Sequence, residues 1–183
     1  VLTLFHTGNE RFRTTNTGIN VTGSVTADGL TVEQNVGSKL TFSSTDAAIA
    51  TNEVIGEIDF YSADASGIGA ASRANISAVA ADGAGAGDVY IKTSTGGAVV
   101  ANRLKVAFNG DVSFYEDTGT TAKMTWDASA ESLGIGTSAP QQVLQISQGA
   151  SAGTTALRIE NTETTIDPAQ TANAIEFYTN DVS

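Results

Sequence analysis

Large apolar side chains in this sequence recur at every second position in short runs, with no sustained helical spacing anywhere. Ile19 and Val21, Leu30 and Val32, Leu40 and Phe42, Ile58 and Phe60, Val89 and Ile91, and Leu104, Val106 and Phe108 all obey this rule. It continues through Val112 and Phe114, Met124 and Trp126, Leu133 and Ile135, Leu144 and Ile146, Leu157 and Ile159, and Ile175 and Phe177. Successive side chains of a strand point to opposite faces, so the pattern predicts short strands with one apolar face. Turn formers separate the runs: Asn16-Thr17-Gly18, Asp28-Gly29, Asp82-Gly83, Gly96-Gly97, Asn109-Gly110 and Asp117-Thr118-Gly119. Asn109-Gly110 is the clearest hairpin signal and reads as a type I′ turn, which needs positive φ at both central residues. At most, residues 45–52 make one helical turn. The expected class is all-β.

Each such strand carries only two or three large apolar residues. Burying one is worth roughly 1.5–3 kcal/mol, while ordering each backbone residue costs about 1–2 kcal/mol. The 40% hydrophobic fraction does not change this, because much of it is alanine and aromatics make up only 7%. The strands must therefore share their buried faces with many neighbours, along a solenoid or between chains. An internal repeat points the same way. Laid over Thr155–Ser183 without a gap, an offset of 117 residues, Ser38–Ser66 pairs Leu40 with Leu157, Phe42 with Ile159 and Asp46 with Glu163. Ile58-Asp59-Phe60-Tyr61 then meets Ile175-Glu176-Phe177-Tyr178. The repeat predicts a strand near 39–43 and another near 57–62, with copies near 156–160 and 174–179. A weaker echo sets Arg11-Phe12-Arg13 and Gly18 against Arg103-Leu104-Lys105 and Gly110.

Charge and composition exclude several functions. A net charge of −11 and a pI near 4.2 argue against nucleic-acid binding, which needs clustered Lys and Arg. There is no cysteine, hence no disulfide framework or thiolate metal site. No apolar run approaches the roughly 18–20 residues of a membrane span, and neither a span nor a signal peptide is expected. The chain opens at Val1 without an initiator methionine and is read as a segment of something longer.

Three stretches carry a family resemblance. Asn9-Glu10-Arg11-Phe12-Arg13 with Thr17-Gly18-Ile19-Asn20-Val21 is similar to segments that recur in bacteriophage tail fibres. Leu133-Gly134-Ile135-Gly136-Thr137, with Pro140 and then Val143-Leu144-Gln145-Ile146, resembles the GIGTxxP element of the same proteins. Gly56-Glu57-Ile58-Asp59-Phe60-Tyr61 resembles a third shaft piece, found especially in fibres of marine and cyanobacterial phages. Similar shaft elements occur in bacterial surface proteins. The resemblance implies an elongated, intertwined parallel homotrimer with a β-prism or β-helix-like shaft, on the virion surface or otherwise extracellular. It implies no enzymatic activity. Its partners would be further copies of the chain, other virion or filament proteins, and a host surface glycan or protein reached through parts outside this sequence.

Chemistry-bearing residues are sparse. His6 is the only histidine, so neither a triad nor a histidine metal site is expected. Glu53, Glu57, Asp59 and Asp64 are close enough to suggest a glycosidase carboxylate pair, but Glu57 and Asp59 alternate with Ile58 and Phe60 and read as the solvated face of a strand. Asp82-Gly-Ala-Gly-Ala-Gly-Asp88 lacks the Lys-Ser/Thr of a phosphate loop and reads as a hairpin loop. Asn20-Val-Thr22 and Asn75-Ile-Ser77 fit a glycosylation sequon and are read as structurally neutral. Trp126 could stack on a sugar ring, but its place with Met124 in an alternating run makes it a core or interchain residue. No catalytic, cofactor or metal residue is expected. The residues expected to pack within the module or between chains are Ile58, Phe60, Val106, Phe108, Val112, Phe114, Trp126, Ile175 and Phe177. The expected organisation is a shaft segment over 1–37, a sheet module over 38–120, a second shaft segment with the GIGT element over 121–154, and the start of a second copy over 155–183. Its function would be that of a fibre segment projecting a distal receptor-binding tip. The alternatives are a bacterial filament or adhesin subunit and, further off, a polysaccharide-degrading spike.

Overall fold

The computed structural model describes residues 3–15, 18–33, 37–67, 69–97, 100–148 and 157. The chain forms two compact units, Val1–Thr41 and Phe42–Ser183. Among the described residues there is no helix, and so none long and apolar enough to cross a membrane.

The first unit holds a three-stranded antiparallel sheet of β1 (Thr3–His6), β2 (Asn9–Thr14) and β3 (Ile19–Val21), in that order. Phe12 faces Val21 and Thr14 faces Ile19, so β2 and β3 pair antiparallel on either side of the turn formers at 16–18. The alternating pair Leu30 and Val32 forms no strand. Alternation makes a strand only where a neighbouring strand takes up its N–H and C=O groups.

The second unit is one sheet of eight strands. They are β4 (Val54–Ser62), β5 (Ala71–Ala80), β6 (Gly87–Ser94), β7 (Val100–Val106), β8 (Val112–Tyr115), β9 (Ala122–Asp127), β10 (Ser132–Ile135) and β11 (Leu144–Ile146). Spatial order follows chain order from β4 to β11. All pairings are antiparallel except β10 with β11. This meander carries both the module expected over 38–120 and the segment expected over 121–154.

Three local expectations are corrected. No strand forms at 39–43, where Leu40 and Phe42 lack a ladder partner. Phe42 instead lies across β4, so close that a Cβ on Gly56 would stand 2.7 Å from the Phe42 Cβ. Nor do residues 45–52 make a helical turn. Side chains hold this connection in bends: the Asp46 carboxylate accepts from the Ala48 N–H and the Glu53 carboxylate from the Ala50 N–H. The Asn109-Gly110 hairpin joins β7 to β8 as expected, but of the two residues only Gly110 has positive φ, at 93°. The Gly110 N–H donates to Ala107 O and the Ala107 N–H to Asp111 O. This is the longer hairpin connection that ends on a left-handed glycine, not a two-residue type I′ turn.

Acidic side chains organise the other turns. Glu116 accepts hydrogen bonds from the backbone N–H groups of Thr121, Thr120 and Thr118 and from the Thr118 hydroxyl. These bonds, that from Thr121 foremost, hold its carboxyl far below the usual range. Asp64 is lowered by the Ser66 hydroxyl, Asp82 by the Ala84 and Ala86 amides, and Asp127 by the Ala130 amide and Ser129 hydroxyl. A carboxyl whose pKa is depressed on folding contributes stability above its unfolded value, near 4, and loses it as pH falls through the folded one. The melting temperature is therefore expected to drop below about pH 4, and Glu116→Gln should flatten that drop. A variant with an acid limb as steep as the unaltered chain would remove Glu116 from this account.

Candidate assembly face

The registers join the strands into continuous side-chain rows, because residues paired across a ladder share a face. One row reads Ile58, Ile76, Ile91, Leu104, Phe114, Met124, Ile135, Ile146 across all eight strands. The next row on the same face reads Gly56, Ala78, Val89, Val106, Val112, Trp126, Leu133, Leu144. Neither row contains an ionisable group. Phe60 begins a shorter third row through Ala74, Thr93 and Ala101.

This face has no covering layer among the described residues. In the first row, exposure runs from 37% at Met124 to 45% at Phe114 for the large exposed side chains, with Ile58 at 43%, and Trp126 in the second row is at 40%. Among the described residues the buried hydrophobic ones are Ala71, Val79, Ala80 and Ala101, none larger than valine. A sheet normally buries one face against a second layer, and here the side chains that would form that core are left exposed among the described residues. Among the described residues, only Phe42 covers this face, at the β4–β5 end, where the second row shrinks to Gly56 and Ala78. A hollow of about 260 Å³ remains there, lined by Phe42, Gly56, Ile58, Ile76, Ala78 and Val89.

The opposite face is polar. Its row reads Glu57, Ser77, Tyr90, Lys105, Ser113, Thr125, Gly134, Gln145. Asp88 is buried and takes the Lys105 ammonium at 2.7 Å, while its other oxygen accepts from the Phe108 N–H at 3.0 Å. Burial pulls the Lys105 pKa down, but the hydrogen bond and charge of Asp88, with Tyr90, outweigh it and raise the pKa overall. The Tyr90 ring lies 5.3 Å from the Lys92 ammonium and 5.6 Å from that of Lys105. Glu57 accepts from Asn75 and Asp59 from Ser72, so the two carboxylates lie on the polar face, paired with neighbours on β5. A larger hollow of about 650 Å³ lies beside β7. Its Arg103 is engaged with the Thr93 hydroxyl and the Glu116 and Asp117 carbonyls, which tie the β8–β9 turn down.

The GIGT element builds the parallel end of the sheet. Residues 136–143 connect β10 to β11 and fold back over β10, so a Cβ on Gly134 would strike the Thr137 carbonyl. Gly136 has φ of 79°, and a Cβ there would strike the Ser147 carbonyl. The Ser147 N–H donates to Ile135 O and the Gly136 N–H to Lys123 O. Both glycines are thus required by backbone contacts.

Of the residues expected to pack, Ile58, Phe60, Val106, Val112, Phe114 and Trp126 share the apolar face. Phe108 stands in the β7–β8 turn, 64% exposed. Ile175 and Phe177 lie outside the described residues. Sequence reading left out Ile76, although it is the rung between Ile58 and Ile91. The β5 sequence Ala-Ser-Arg-Ala-Asn-Ile-Ser-Ala-Val-Ala offers one large side chain to this face, so no alternation marked it. No family model and no curated protein matches the chain in sequence.

Proposed function

We propose that this chain is a structural segment of a bacteriophage tail fibre that assembles as a parallel homotrimer and projects a distal receptor-binding tip toward the host. The observation that carries the reading is an eight-stranded sheet in a single layer, with an apolar face uncovered among the described residues except at the β4–β5 end and, among those residues, no buried hydrophobic side chain larger than valine. Such a sheet gains its hydrophobic stabilisation when copies cover one another. Three sheets around an axis would enclose the apolar rows in a prism and turn the polar faces outward. The resemblance of the GIGT and Glu57–Tyr61 stretches to fibre shafts supplies the viral context. The role is structural rather than catalytic. It rests on carboxylates spent on turns and on strand-to-strand hydrogen bonds. Contact with a host glycan or protein belongs to parts of the fibre beyond this sequence, and other virion proteins anchor it.

Immunogold labelling with antibody raised against the chain tests the assignment. Label along fibres projecting from virions is expected. Label confined to the bacterial envelope would overturn the viral reading in favour of a filament or adhesin.

A further inference from the structure

We propose that Asn109 is a latent site of spontaneous modification, protected by the folded β7–β8 turn and converted to aspartate or isoaspartate when that turn opens. The proposal does not depend on the fibre reading. Asn109-Gly110 is the one place in the chain where glycine follows asparagine, and both residues are exposed. Glycine has no Cβ to hinder an approach to its nitrogen. Once that nitrogen loses its proton to solvent base, it attacks the side-chain Cγ of the asparagine before it. The N–Cγ bond forms, the Cγ–Nδ2 bond breaks, and Nδ2 takes a proton back from solvent and leaves as ammonia. Water then opens the cyclic imide at either of its carbonyls, which gives aspartate or an isoaspartate whose main chain runs through the former side chain. One water is consumed and one ammonia released, and nothing is oxidised or reduced.

Hydrogen bonds hold the folded turn back from this reaction. The Gly110 N–H, whose proton must leave, donates to Ala107 O at 2.9 Å. The Asn109 amide is held at both ends: Nδ2 donates to Asp111 Oδ2 at 2.9 Å, and Oδ1 accepts from the Asp111 N–H at 3.2 Å. The second of these bonds draws electron density from Cγ, but without loss of the Gly110 proton there is no nucleophile to exploit it. Asp111 is fixed in turn, because its Oδ1 accepts from the Ala128 N–H at 2.9 Å, just beyond β9. It is therefore a positioning residue that keeps the electrophile in place. The same contact decides what the product does. After conversion to aspartate a carboxylate stands where Nδ2 met the Asp111 carboxylate, and an attraction becomes a repulsion between like charges. Isoaspartate also adds a carbon to the main chain within a turn whose length sets the pairing of Val106 with Val112. A reversible opening of the turn is thus turned into a lasting loosening of the β7–β8–β9 hairpins.

The full chain, incubated in mildly alkaline buffer once folded and once in denaturant, tests the site. The peptide holding Asn109 is followed by mass spectrometry, and isoaspartate is scored with an isoaspartyl methyltransferase. Conversion is expected to be many-fold faster in denaturant. Equal rates in the two states would overturn the protection, and no conversion in denaturant would overturn the site. Folded Asp111→Ala, checked by circular dichroism, should convert several-fold faster than the folded unaltered chain, and a rate no higher would remove Asp111 from its role. The consequence is read by thermal unfolding. Asn109→Asp should melt lower than the unaltered chain, and adding Asp111→Asn, which again sets an amide against a carboxylate, should recover most of the loss. An Asn109→Asp chain as stable as the unaltered one, or a double variant no better than the single, would overturn the loosening by charge.

Discussion

Replacing Gly136 by valine is expected to cost roughly 2–5 kcal/mol, the sum of a left-handed backbone forced on a β-branched residue and an overpacked contact. Gly136 has φ of 79°, and its missing Cβ leaves room for the Ser147 carbonyl. The obstacle is backbone on both sides, so no side-chain rotamer can relieve it. The β10–β11 pairing must open or the connection must move. Gly134→Val meets the Thr137 carbonyl in the same way. Gly97, which has neither positive φ nor any atom within 4 Å of a built Cβ, is the matched control. Thermal unfolding should show a fall of roughly 10 °C or more for Gly136→Val and little change for Gly97→Ala. Equal melting temperatures for the two variants would mean that the crossover is not held as described.

Asp88→Ala is expected to be the most damaging change on the polar face, at about 2–3 kcal/mol. The carboxylate is 95% buried and serves two partners at once, the Lys105 ammonium and the Phe108 N–H. Removing it leaves a cation and an amide without their acceptor. The Lys105 side chain keeps 26% of its exposure, so water recovers part of the loss and the figure lies below that of a fully enclosed pair. Asp88→Asn retains an acceptor for Phe108 while losing the charge, and should fall between the two. Denaturant unfolding that ranked Asn as more harmful than Ala would contradict this division of roles.

How much of this was legible in the sequence depends on whether a residue's fate was local. From Leu104 to Ile135 the alternation marked every strand and its apolar face, because each run finds its partner in the next few residues through a short turn, while Leu144 and Ile146 reach theirs through the crossover 136–143. Ile58 and Phe60 were equally plain. Leu40 and Phe42 alternate just as well, yet form no strand, because strand formation is decided by a partner and the alternation cannot supply one. Phe42 serves a different purpose, covering the gap over Gly56. The second copy has Ile159 and Asn173 at these positions, so the repeat keeps the alternation in sequence but not the phenylalanine and glycine that meet here. Asn109-Gly110 marked a hairpin correctly, but the loop length that selects the turn type lay in the register of Val106 with Val112. The GIGT glycines were recognised by resemblance alone. What they do, clearing space for Thr137 and Ser147, is a three-dimensional contact with no period to announce it. The eight-rung rows lie between these cases. Their members were mostly visible, but not that they line up across the whole sheet, which depends on every register at once.

Coverage of the open apolar face by further copies of the chain, as proposed, is tested most directly by sedimentation equilibrium of the unaltered protein. Three times the chain mass of 18.7 kDa is expected, with dissociation on dilution accompanied by loss of the β-sheet circular dichroism signal. A mass of 18.7 kDa for a chain that stays folded on dilution would contradict it.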